Sequence, residues 1–242
     1  MTCFNLKKCI VPAVLAASVI IPMTSQADVV ISGTRVIYQQ KNKDITVRLD
    51  NKGNKPLLVQ SWLDDGREGV NPQEMNVPFV ITPPISRIDP KRGQTVRISS
   101  LGGNLPKDRE SVYWFNVLEV PPKAKGADTG NTMQLAFRTR IKFFYRPTGL
   151  QGDPAVAAQS LKWSVAGQGS VEAKNDSNYF VSLNSASLTL GGKKYAVETK
   201  MVSPHSSLKM SVKGLSASAS GAKLTYAAIN DFGGAITKDV TL

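Results

Sequence analysis

The sequence predicts an all-β protein built as two β-sandwiches in tandem. Three observations carry that prediction: apolar and polar residues alternate with a period of two along nearly the whole chain after residue 27, turn residues separate the alternating runs, and no 3.6-residue apolar pattern persists. Pro147, Gly149, Gly152 and Pro154 gather in "RPTGLQGDP", and that concentration of turn chemistry divides the strands into two groups. The expected organisation is residues 1–27 as a signal peptide, 28–147 as a first domain, 148–152 as a linker and 153–242 as a second domain.

The first segment is set apart by its composition. Lys7 and Lys8 precede the apolar run "CIVPAVLAASVIIPM", and the small residues Ser25 and Ala27 follow it. A basic start, an apolar centre and small residues before the cut are the marks of a secretory signal, cleaved here after Ala27. As a membrane anchor the run is too short, and Pro12 and Pro22 interrupt it. Both cysteines, Cys3 and Cys9, fall in the removed part, so the exported chain holds no disulfide and its cores must hold the fold unaided.

Within the first group, "DVVISGTRVIYQ" reads as an opening strand interrupted at Gly33, and "DITVRLDN" places Ile45, Val47 and Leu49 on one face. "PLLVQSWLDD" runs into the turn "DDGREG". "PFVITPPISRIDP" carries two prolines that forbid a regular central strand along its whole length. "QTVRISSL" and "SVYWFNVLEV" follow, and a long strand spans Met133 to Tyr145. Its odd positions are Met133, Leu135, Phe137, Thr139, Ile141, Phe143 and Tyr145, while Arg138, Arg140 and Lys142 fall on the even ones. Seven or so short strands with turns between them are the signature of an antiparallel sandwich.

The second group repeats the style in "SLKWSVAG", "GSVEAKND", "YFVSLNSASLTL", "KKYAVETKMV", "SSLKMSVKG", "AKLTYAAIND" and "GAITKDVTL". Only "VAAQSL", from Val156, has the makings of a turn or two of helix.

Chemistry is hard to place in this chain. His205 is the only histidine, in a turn-like "SPHSS", and no second histidine or exported cysteine accompanies it for a zinc or copper site. Asp64 and Asp65 in "LDDG" read as a hydrated hairpin turn. "SLGGN" and "LTLGGKKY" lack the spaced glycines and Lys-Ser/Thr of a phosphate loop. Neither an enzyme nor a cofactor or metal protein is expected. The formal charge of +12 falls to +10 without Lys7 and Lys8, and suits an anionic surface or acidic partner. An exported destination, with no basic helix or arginine-glycine tail, argues against nucleic acid. What stands out is charge set inside apolar strands, at Arg35 in "SGTRVIYQ" and Lys142 in "TRIKFFYRP". Such a group survives only if its head reaches water, a carboxylate or an anionic ligand; a solvated strand face is the plainer alternative.

Five stretches, "TRVIY", "TPPISRIDP", "LPKDRESVYWFNVLEVPP", "RTRIKFFYRP" and "AINDFGG", together resemble the periplasmic chaperones of Gram-negative chaperone-usher pili. The resemblance spans essentially the whole chain after residue 27. It implies two immunoglobulin-like domains in an L or boomerang arrangement, with a cleft whose Arg35 and Lys142 bind the C-terminal carboxylate of a pilus subunit. It also implies a donor strand that inserts Met133, Leu135, Phe137 and, nearer the cleft, Ile141 into the subunit's open core. An inter-domain network of Glu110, Arg146 and Asp231 would fix the hinge. The implied partners are fimbrial subunits and an outer-membrane usher, reached in the periplasm without stable membrane insertion. Only ten residues, Lys123 to Thr132, separate "VLEVPP" from "MQLAF", which is similar to the short-loop class. Phe232 stands where many relatives have Tyr. Arg138 and Arg140 face away from the inserting stripe, toward partner selectivity or solvent. A bare apolar edge also gives the free protein reason to pair with itself.

Overall fold

The computed structural model describes residues 28–67, 71, 74–122 and 135–242; the expected export signal and Met133 lie outside them. Among the described residues, sixteen strands and one short helix form two β-sandwiches, each around its own core.

The first sandwich packs a four-stranded sheet, in the order β1 (Val29–Ile31), β3 (Asp44–Asn51), β7 (Gly93–Ser100), β5 (Phe79–Thr82), on a five-stranded one. The latter runs β2 (Arg35–Gln39), β9 (Phe137–Arg146), β8 (Ser111–Val120), β4 (Leu57–Asp64), β6 (Ile85–Ile88). Two of the seven expected strands are each divided, and the residues that divide them are legible. Gly33 adopts a φ of 110°, a conformation open to glycine. The chain there leaves the β1 sheet and enters the β2 sheet. At Pro83-Pro84, where the ladder must break, it leaves β5 for β6, and both strands are sheet edges, where proline is tolerated. Alternation then sets the faces: Val47 and Leu49 of β3 and Val96 and Ile98 of β7 are buried, with Thr46, Arg48 and Arg97 outside. From the other sheet Val36, Tyr38, Val59, Phe115, Val117 and Phe143 meet them. Full burial of each large apolar side chain contributes about 1.5–3 kcal/mol.

The second sandwich packs β10 (Lys162–Val165), β11 (Ser170–Asn175) and β14 (Ser206–Ser211) against β13 (Lys193–Val197), β12 (Leu183–Leu190), β15 (Lys223–Ile229) and β16 (Ala235–Thr241), in those orders. Trp163, Val171, Leu188, Met210, Leu224 and Tyr226 fill its centre. The expected helical turns are α1, Pro154–Gln159. Asp153 caps it by accepting from the amides of Ala155 and Val156, Pro154 opens it, and Ala157 and Ala158 are buried against the second core.

Candidate functional site

β2 and β9 are the only pair of neighbouring strands that run parallel among the described residues, and their register sets Arg35 opposite Lys142. Val36 and Tyr38 face the core together with Phe143 and Tyr145. Period-two geometry therefore turns Arg35, Lys142 and Phe144 to the outer face, toward the second sandwich. Phe144 is nonetheless buried, its ring 6.0 Å from that of Phe180.

The two cations have polar neighbours but no acid in ion-pair contact among the described residues. Arg35 Nη1 donates to the carbonyl of Ile229 at 3.0 Å, and its Nε is buried without a hydrogen-bond partner among the described residues. Lys142 Nζ donates to Ser182 Oγ at 3.1 Å. Burial pulls the Lys142 ammonium below its ordinary value, and the charge of Arg35 pulls it further. Burial likewise lowers Arg35, against the more distant attraction of Asp231 and Glu110. Two half-buried cations side by side have the charge and the donor capacity that an anion would need.

Arg146, two rungs beyond Phe144, joins the sandwiches. Its Nη1 and Nη2 donate to the two carboxylate oxygens of Asp231 at 2.7 and 3.0 Å, and its Nε donates to Glu110 Oε1 at 2.7 Å. Glu110 Oε2 accepts from the Phe180 amide at 2.9 Å, and the guanidinium lies 5.3 Å from the Tyr179 ring centre. Burial pushes the Glu110 carboxyl up while Arg146 and the Phe180 amide pull it down. The structure thus brings Glu110, Arg146 and Asp231 into one network that crosses between the sandwiches.

β8 pairs with β9 from Phe137 to Tyr145, but β2 covers only Lys142 to Arg146 on the other side. The β2-side edge of Phe137–Ile141 therefore has no strand beside it among the described residues. The inward stripe of β9 changes character along its length. Phe143 and Tyr145 are in the core, Ile141 packs partly against it, and Phe137 is 37 % exposed. Leu135, 59 % exposed, precedes the first strand residue, so the ladder begins four residues later than alternation from Met133 predicts. One end of the stripe serves this chain's own core and the other end is open.

A second cluster on the outer face forms only when strands distant in sequence come together. Asp64 is not a hydrated turn residue: its side chain is buried, and Arg138 and Arg140 both bind it instead of facing only solvent or a partner. The acidic signal was visible in "LDDG", but its pairing across three strands was not. Asp65 keeps the exposed turn role, paired with Arg67 at 2.8 Å. His205 Nε2 lies 2.7 Å from Asn178 Oδ1, an oxygen that can only accept, and no nucleophile takes part in that contact. Among the described residues no group of His, Cys, Asp and Glu is arranged to hold a metal. No helix there is long and apolar enough to cross a membrane.

Comparison with known proteins matches this architecture over nearly its full extent. Residues 28–151 match the N-terminal domain, and residues 156–240 the C-terminal domain, of the PapD pili-assembly chaperones, the former described as pili and flagellar-assembly chaperones. A probable fimbrial chaperone of Escherichia coli (strain K12), YadV, is 52 % identical over 225 residues, covering 90 % of this chain and 92 % of its own. The chaperone protein FimB/FhaD of Bordetella pertussis is 43 % identical over 215 residues, with 87 % and 86 % covered. The crystal structure of the YadV chaperone superposes with a TM-score of 0.79 over 89 % of this chain and 100 % of that one. The Salmonella enterica SafB chaperone, solved in complex with the SafA pilin, is similar at 27 % identity with a TM-score of 0.75, over 90 % and 98 % of the chains. The chain belongs to the PapD family of periplasmic pilus-assembly chaperones.

Proposed function

We propose that this protein captures fimbrial subunits in the periplasm by lending them β9, holds them until delivery to an outer-membrane usher, and performs no catalysis. The observation that carries the reading is the conjunction of Arg35 and Lys142 with the open edge of Phe137–Ile141 on the same strand pair. A subunit's terminal carboxylate has charge, size and geometry suited to two adjacent cations. A chain ending at Lys142 and continuing along the open edge must run parallel to β9, because that edge lies on the N-terminal side of Lys142. The added strand gains backbone hydrogen bonds, and Phe137, with Leu135 and Met133 before it, inserts apolar side chains into the subunit. Ile141 stays nearer the anchor. Glu110, Arg146 and Asp231 hold the sandwiches at the angle that frames the site. The similar SafB chaperone, solved in complex with the SafA pilin, supports the same role here.

In this reading residues 1–27 are the removed export signal, 28–147 the subunit-binding domain, 148–152 the linker and 153–242 the second domain. Co-expression with a candidate pilin and purification from periplasm tests the function. The pilin should co-purify and accumulate, and both effects should be lost on Arg35→Ala or Lys142→Ala. Undiminished pilin binding in both variants would sink the carboxylate-anchor mechanism.

A further inference from the structure

Asp64, the last residue of β4, lies at the centre of the outer-face cluster, with its side chain only 1 % exposed. Its Oδ2 accepts from Asn116 Nδ2 at 2.8 Å, Arg140 Nε at 3.1 Å and Arg138 Nη2 at 3.2 Å, while Oδ1 accepts from the Gly66 amide at 2.8 Å and from Arg140 Nη2. Arg138 also donates to Asn116 Oδ1 through Nε and Nη2, at 2.9 and 2.7 Å. The guanidinium of Arg138 stands 5.1 Å from the Trp62 ring centre and that of Arg140 4.8 Å from the Trp114 ring centre. Each arginine is thus fixed both at its head and across its plane.

Both arginines belong to the part of β9 that, among the described residues, has a strand on one side only. A strand end with one neighbour and an exposed aromatic has few contacts to keep it extended, and such segments open locally at low cost. Arg138 and Arg140 flank Thr139, so holding both heads against β4 and β8 restrains three successive residues. Exposed ion pairs do little singly. Here the acceptor is buried and shared, so breaking the cluster would strand its charge.

We propose that Asp64 is a positioning residue for subunit capture: by clamping Arg138 and Arg140 it holds the open-edged half of β9 extended before a subunit arrives. The inference rests on the donor-strand reading and goes beyond it, because Asp64 need not touch the subunit. A template ordered in advance spares binding the entropy of ordering it.

The test is Asp64→Asn, nearly isosteric, with amide hydrogen exchange on the free protein and binding kinetics against a purified pilin. The β8-bonded amides within residues 137–141 should exchange about tenfold faster while those of residues 143–145 hold, and the pilin should bind about tenfold more weakly. Should Asp64→Asn fail to fold, the triple variant with Arg138→Gln and Arg140→Gln removes the clamp without leaving an unpaired charge, and the same expectations apply. Faster exchange with unchanged affinity overturns the inference. So does weaker binding with unchanged exchange, or a rise in exchange spread evenly over the sheet. Arg35→Ala, measured in parallel, separates the two levels: if it loses binding and Asp64→Asn does not, only the clamp is wrong. If Arg35→Ala and Lys142→Ala both bind normally, the carboxylate anchor fails while the clamp is judged on its own exchange and binding results.

Discussion

Arg35 and Lys142 stand opposite each other on parallel strands, like charges in register, with no carboxylate in ion-pair contact with either among the described residues. Folding alone gives no reason to put them there, since like charges facing each other across a ladder repel. The arrangement makes sense when an anion completes it. Replacing either with Ala should weaken subunit binding by about 2–5 kcal/mol, the usual cost of truncating one member of a buried charge contact. The thermal midpoint of the free protein should hold or rise, because a repulsion is removed. Calorimetric titration and a thermal melt measure the two effects separately.

The lowered pKa of Lys142 gives binding a pH dependence with a definite sign. Burial and Arg35 disfavour the ammonium in the free protein, so its proton leaves at lower pH than an ordinary lysine's. A bound carboxylate needs the charged form and raises that pKa. Affinity should therefore fall as pH rises toward the ordinary lysine range, with proton uptake on binding over the window in which the free protein's Lys142 loses its proton. Titrations in buffers of different ionisation enthalpy read the uptake directly, and Lys142→Ala should abolish the dependence.

Arg146 and Asp231 should differ in what they cost. Arg146→Ala leaves Glu110 buried without its cation, a loss of about 3–5 kcal/mol. Asp231→Ala removes a partner whose side chain is 27 % exposed and leaves Arg146 still bound to Glu110, so the loss should be smaller. Urea unfolding of the two variants gives the comparison. Equal losses would show that Glu110 is not the dominant partner.

Two phenylalanines on the same face of β9 should separate binding from stability. Phe143→Ala empties a fully buried position and should cost about 3–5 kcal/mol of folding stability. Phe137→Ala removes a ring already partly in water, so the fold should barely change, while subunit affinity falls by about 1.5–3 kcal/mol if the subunit buries that ring.

What the sequence revealed, and what it concealed, follows from the range of the interactions. Period-two alternation located the strands, since each strand carries its own pattern; Gly33 and Pro83-Pro84 marked the breaks without saying that the chain changes sheet there. Arg35 and Lys142 stood out because charge inside an apolar run is a local anomaly, and the resemblance to pilus chaperones supplied their proposed role. Asp64 gave no such signal. Its side-chain partners lie 52 to 76 positions away, and a carboxylate before Asp-Gly looks like an ordinary turn until β4, β8 and β9 are set side by side. The start of β9 was overestimated for a related reason: alternation continues through Leu135, but the β8 ladder begins at Phe137.

The most direct test compares a subunit's terminal-strand peptide with a free C-terminal carboxylate against the same peptide amidated, each titrated into the intact chaperone and into Arg35→Ala. Amidation should weaken binding to the intact protein about as much as Arg35→Ala does, and add little in that variant. Equal binding of the free and amidated peptides to the intact chaperone would contradict the carboxylate-anchor mechanism.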